Sequence, residues 1–183
     1  MSIKAPRAMV LLLAAAMSVA ACRPGLDEAA VSERGAAALA PLKKSLMGAL
    51  KAGMSVGPVS AVEACHLSAP GLPAAAGGEG ISVGRTTDKL RSADNAPKPW
   101  MKPLLEEYAK AGPGAAPRAV ALDGGKAGYV EPIYMQEMCL ACHGTALNAD
   151  VAKTLAERYP TDAATGYAAG DFRGLFWVEM AGL

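Results

Sequence analysis

Cysteine, histidine and aromatic side chains are all scarce in this chain. Of 183 residues, 4 are Cys and 2 are His, and Trp, Tyr and Phe together make up 5%. So few cysteines exclude a disulfide scaffold. So few Cys and His also leave no second ligand pair for a four-ligand zinc site. The shortage of aromatics, in a chain rich in Ala and Gly, deprives the core of its usual large side chains. Charge of one sign is lacking too: 18 basic residues face 17 acidic ones. With no basic patch interleaved with aromatics, nucleic acid is not an expected partner. The longest apolar run, residues 8–21, is too short to span a bilayer as a stable helix.

What is present is one pattern, Cys139-Leu140-Ala141-Cys142-His143. Two thiols three positions apart on one turn can add to the two vinyl groups on one porphyrin edge. The histidine beside the second thiol is then held under the iron. In a chain this poor in Cys and His, a chance match is on the order of one in a thousand. The competing readings are a zinc half-site, short of ligands, and a thioredoxin-like redox pair, which normally opens a helix after a strand. The expected cofactor is therefore one covalent haem c, attached at Cys139 and Cys142, with His143 as proximal axial ligand. Such a group would supply the large apolar object that the side chains do not.

The N-terminus agrees. Lys4 and Arg7 precede the apolar run, which ends Val19-Ala20-Ala21-Cys22. Small residues before a cysteine read as a lipoprotein signal over residues 1–21, with Cys22 acylated. The competing reading is ordinary cleavage that leaves a free thiol. Periplasmic location and a lipid anchor in the membrane follow. Arg23, in place of the inner-membrane-retaining Asp, slightly favours the outer membrane. Residues 22–38 read as a tether, and 39–183 as one domain. With Cys22 given to lipid and two cysteines to haem, Cys65 is left without a disulfide partner.

Along the chain, Asp27 to Glu33 has helical character that Gly35 weakens, and Pro41 suits the first position of a helix. Leu39, Leu42, Leu46, Leu50 and Met54 make an apolar stripe, broken by Gly53, Gly57 and Pro58. Pro58 opens a second helix carrying Val59, Val62, Cys65 and His66. Residues 71–80 read as a flexible surface loop. Ile81 to Thr87 reads as a strand, Leu104 to Ala111 as a helix, and Arg118 to Leu122 with Gly128 to Met135 as a hairpin about Asp123-Gly124-Gly125-Lys126. Asp150 to Tyr159 reads as an amphipathic helix and Phe172 to Met180 as a last strand. Hairpin-type connections favour an α+β domain with an antiparallel sheet. A motif placed this late, after a hairpin, does not fit the all-helical class I cytochrome c.

Three blocks carry a resemblance. They are Ala64-Cys65 to Pro70 with Gly84 to Arg91 and Asn95 to Trp100; Tyr129 to His143-Gly144; and Tyr159 to Tyr167 with Gly170 to Gly174. In combination they resemble a bacterial extracytoplasmic c-type haem domain family, long catalogued as a domain of unknown function. The likeness covers roughly residues 40–180. It implies a PAS-like antiparallel sheet with flanking helices and an N-terminal helix, with one covalent haem. In a characterised member the iron is held by the motif histidine and a distant cysteine.

On that resemblance Cys65 is the favoured distal axial ligand, with His66 the alternative. Met135 or Met138 would raise the potential, and Met138 is too near Cys139 to reach the opposite face. Cys65 also reads as a small buried residue and His66 as one bonded to backbone. Arg85, Arg91 and Arg173 lie in the family-like blocks and are candidates for the haem propionates, with Asp171 as a partner of one; each taken singly reads more readily as a surface or structural salt-bridge residue. Trp100 and Tyr134 are candidates to pack on the porphyrin, or plain core. The functional reading is a monohaem c-type cytochrome, a low-potential electron carrier or redox reporter for a partner protein. The chain ends at Leu183 with no membrane helix after the domain, so reporting would go through that partner. The alternative is a haem-based sensor of CO, NO or redox state, separable by whether CO binds the reduced form. A peroxidase-like enzyme ranks last, since His66 is its only distal acid–base candidate.

Overall fold

A computed structural model describes residues 25–181. The signal segment, Cys22 and Arg23 lie outside the described residues. The Asp27 carboxylate accepts a hydrogen bond from Ala30 N at 3.0 Å and caps the first helix, α1 (Glu28–Val56). Pro41, expected at a helix start, instead lies inside α1. Its ring cannot donate to the carbonyl of Ala37, and both residues face solvent, where water can satisfy that carbonyl. The stretch expected as a tether is core: Val31, Gly35 and Leu39 are buried. Gly35, expected to weaken the helix, lets α1 lie against the Tyr129 ring, which an added Cβ would overlap. The folded part thus begins at Glu28 rather than residue 39.

Gly57 stops α1, and α2 (Pro58–Ser68) folds back on it, with Gly53 against the Ala61 backbone. The expected loop at 71–80 contains a short helix, α3 (Leu72–Ala76), whose end residues Leu72 and Ala76 pack on the core under α1. The remaining elements are β1 (Ile81–Thr86), α4 (Lys102–Ala111), β2 (Arg118–Leu122), β3 (Lys126–Tyr134), α5 (Leu140–His143), α6 (Ala149–Arg158) and β4 (Phe172–Ala181). The strands form one antiparallel sheet in the order β1-β4-β3-β2. This is the expected α+β class.

Strand alternation divides the core. Val83, Ala127, Tyr129, Val178 and Met180 meet Val31, Leu39 and Leu42 of α1 on one face. Val130 and Leu175 meet Leu104, Leu105 and Tyr108 of α4 on the other. Trp100 and Tyr134 belong to this second side, not to a porphyrin: Trp100 Nε1 donates to Glu179 Oε1 at 2.6 Å, and Tyr134 lies edge-on to Phe172 with its hydroxyl donating to Tyr108 O at 3.3 Å. Arg85 pairs across β1 and β4 with Phe176, which puts it on the α1 face. At the start of β4 the register slips: Gly174 faces Ile133 and Phe172 faces Tyr134, leaving Arg173 as the extra residue. Gly174 has φ 147°, and an added Cβ would run into the Thr86 carbonyl. The bulge takes Arg173 out of the sheet's alternation and turns it toward the connections at that end.

Candidate cofactor site

The motif forms a single turn. Cys139 N donates to Gln136 O at 2.9 Å and Gly144 N to Leu140 O at 2.9 Å, so Cys139 and Cys142 stand on one side of α5. Both are free, half-buried thiols. Gly144 is needed here, because a Cβ would sit 2.6 Å from Leu140 O. After α6 the chain returns alongside the motif: Tyr167 N donates to His143 O and Gly166 N to Gly144 O, each at 3.0 Å.

That return brings Ala164 O to within 2.6 Å of His143 Nδ1. A carbonyl can only accept, so Nδ1 carries the proton and Nε2 keeps its lone pair. Among the described residues Nε2 has no hydrogen-bond partner. Burial first, and then the Arg91 guanidinium, hold the imidazole pKa down at about 3. His143 is therefore neutral at physiological pH, the form that ligates a metal. The Tyr167 ring stands edge-on, 6.3 Å from the imidazole, and carries Lys89 Nζ at 4.3 Å and the Arg173 guanidinium at 5.6 Å.

Cys65 reaches the same place from α2. Val62, one turn earlier, packs on Val151 and Leu155 of α6, and Cys142 and Tyr159 border this cluster. Cys65 and Cys142 lie within reach of each other's charge. Burial pushes the Cys65 thiol up, while Arg85 and then Arg91 pull it back. His66 follows on α2 but turns its ring edge-on to Tyr159, with centroids 5.2 Å apart. Met138 is 43% exposed, and Met135 is buried at the end of β3.

The three arginines differ in what they hold. Arg91 is committed: it pairs with Asp162 at 3.0 Å and donates to Cys142 O at 2.7 Å. Arg173 donates to Lys89 O at 3.2 Å. Arg85 has neither a hydrogen bond nor an ion pair among the described residues; burial lowers its pKa, and Cys65 is the first group opposing that. Asp171, considered as an arginine partner, instead accepts from Ala168 N at 2.7 Å in the turn before β4. The carboxylate that serves is Asp162, which sequence reasoning missed. An Asp followed two residues later by a backbone donor is a readable turn signal, but its partner Arg91 is 71 positions away.

Three guanidiniums beside one paired carboxylate leave positive charge in excess. The Arg85 guanidinium, half-buried and without a partner among the described residues, is therefore open to an anionic guest. Among the described residues no three His, Cys, Asp or Glu side chains converge on an ion. Two thiols, one neutral imidazole and a facing thiol thus suit a large, anionic, metal-bearing group rather than a bare ion.

The comparisons with known proteins agree on the class of fold and on the family. The model of the Tll0287-like family (Tll0287) matches residues 32–181, and the chain belongs to that family. Among solved structures it is similar to the crystal structure of the cyanobacterial heme-protein Tll0287, at 24% identity and a TM-score of 0.60, over 81% of this chain and 92% of that one. At that identity the likeness speaks for the fold. No curated protein matches. The family assignment agrees with the resemblance carried by the blocks at residues 64–100, 129–144 and 159–174.

Proposed function

We propose that the chain binds one haem c through thioether bonds from Cys139 and Cys142, with His143 as proximal ligand and Cys65 as distal ligand. We propose further that it acts outside the cytoplasm as a monohaem electron carrier or redox reporter. The observation that carries this reading is His143. It is neutral, tied at Nδ1 and without a partner at Nε2 among the described residues, directly after two free thiols, one of which lies within reach of the charge of Cys65. A heme-protein as the solved relative supports the same group.

When bound, the haem supplies a one-electron iron couple. The protein's residues do the rest. Cys139 and Cys142 anchor one edge, and the 162–167 return holds the imidazole upright. Arg85, whose side chain has no partner among the described residues, and Arg173 would hold the propionates. Arg91, already tied through Nε and Nη2 to Asp162 and Cys142 O, stands behind them for that role. Cys65 has to act as a thiolate. Burial opposes its ionisation and Arg85 and Arg91 favour it; a bound ferric iron would add to the arginines' effect, and thiolate ligation would give a low potential. His66, turned to Tyr159, stands second. Cys22 as the lipid anchor, the periplasmic side of the outer membrane and a redox partner protein complete the reading.

The test is the ferric absorption spectrum of the wild type beside Cys65→Ala. A thiolate-type spectrum lost in the variant is expected. An unchanged spectrum rejects Cys65 and moves the role to His66.

A further inference from the structure

Asp162 makes contacts that an ordinary structural ion pair would not need. Its Oδ1 accepts from Ala164 N at 2.8 Å, and its Oδ2 accepts from Arg91 Nε at 3.1 Å. Arg91 Nη2 in turn donates to Cys142 O at 2.7 Å, inside the thiol–imidazole motif, and leans toward Ala164 O at 3.4 Å. The same Ala164 O accepts a hydrogen bond from His143 Nδ1 at 2.6 Å. Ala163 N donates to Leu90 O at 2.8 Å and ties the turn to the Arg91 segment a second time. The carboxylate is 9% exposed and the guanidinium 16%, so neither is a solvated surface group. One carboxylate thus pins the turn that aims a carbonyl at the proximal imidazole, and neutralises the cation competing for that carbonyl.

We infer that Asp162 is a positioning residue for His143, acting through the 162–164 turn and Arg91 to set the electron richness of the proximal ligand. The inference rests on the haem reading above. A firm Nδ1–H···O bond makes an imidazole a better donor to a metal. A better donor favours the ferric state. Removing the carboxylate works in one direction by two routes. Ala164 N loses its acceptor, so the carbonyl is less well held. Arg91 is left uncompensated beside the motif, and an uncompensated cation disfavours the more positive oxidation state.

The experiment uses the haem-loaded protein and compares Asp162→Ala, Asp162→Asn and the control Glu63→Gln. Glu63 forms an ion pair with Arg158 at 2.8 Å between α2 and α6, and neither is among the charges that act on His143. Midpoint potential by spectroelectrochemistry and the g-values of the ferric haem are the readouts. Asp162→Ala is expected to shift the ferric-to-ferrous ratio at fixed potential about tenfold toward ferrous, equivalent to about 59 mV for a one-electron couple, with altered g-values. Asp162→Asn keeps an oxygen for Ala164 N and is expected to shift it less. Glu63→Gln is expected to leave both readouts at wild type. A loaded Asp162→Ala with wild-type potential and g-values overturns the inference and leaves Asp162 a structural residue. If that variant loads no haem, Asp162→Asn decides, and a wild-type potential there overturns it equally. A colourless wild type overturns the haem reading itself.

Discussion

His143 shows how one side chain's surroundings set its chemistry. Its pKa of about 3 in the native state lies below the ordinary 6.5, chiefly because it is buried. Between those values the unfolded chain takes up a proton that the native chain refuses. Stability is therefore full above about pH 6.5 and falls as pH drops toward 3. In a Cys139→Ala/Cys142→Ala protein, which cannot attach haem covalently, unfolding free energy is expected to fall by about 2 kcal/mol from pH 6.5 to 5, at about 1.4 kcal/mol per unit. Urea titrations at each pH measure this. Adding His143→Ala should flatten the profile over that window, which lies above the carboxylate range. Arg85 makes the complementary point. A half-buried cation without a partner among the described residues, beside a thiol that burial keeps neutral, is free to pair with an incoming anion.

At the scale of elements, the helices and strands with local signals were legible and the contacts between them were not. Pro58 at a helix start and Asp123-Gly124-Gly125 between alternating strands act through neighbours in sequence, and both read correctly. The first half of α1 did not. Its Gly35 lowers helix propensity locally, but the helix is held by the Tyr129 ring of β3, 94 positions on. For Trp100 and Tyr134 the sequence left porphyrin packing and plain core open, and only the sheet order, with β4 between β1 and β3, places them in the α4-side core. The single turn at Cys139–His143 rests on neighbours in sequence, whereas the Arg91–Asp162 tie spans two distant loops. The α1 contact is testable. Gly35→Ala would gain helix propensity in isolation, yet it is expected to destabilise the protein by about 1–3 kcal/mol, because the added methyl meets the Tyr129 ring. Thermal melts check the sign, and a more stable Gly35→Ala contradicts the packing described.

At the scale of the molecule, the packing is uneven. The two faces of the sheet are closed by α1 and by α4, the latter with Trp100, Tyr108, Phe172 and Trp177. The cluster between α2 and α6, beside the thiols, is small: Val62, Val151 and Leu155 are buried, with Val59, Leu147 and Tyr159 partly so. A large apolar group seated against Cys65, Cys142 and His143 would complete that small cluster. The aromatic poverty of the sequence and the uneven packing of the fold thus have a common explanation.

The most direct measurement is whether pigment stays on the polypeptide. Protein matured with a haem c attachment system is to be extracted with acidified organic solvent, beside the Cys139→Ala/Cys142→Ala variant. The wild type is expected to keep its colour and give a c-type pyridine haemochrome spectrum, while the variant gives up any haem it holds. A wild type that emerges colourless, or whose pigment passes into the solvent, contradicts covalent attachment through Cys139 and Cys142.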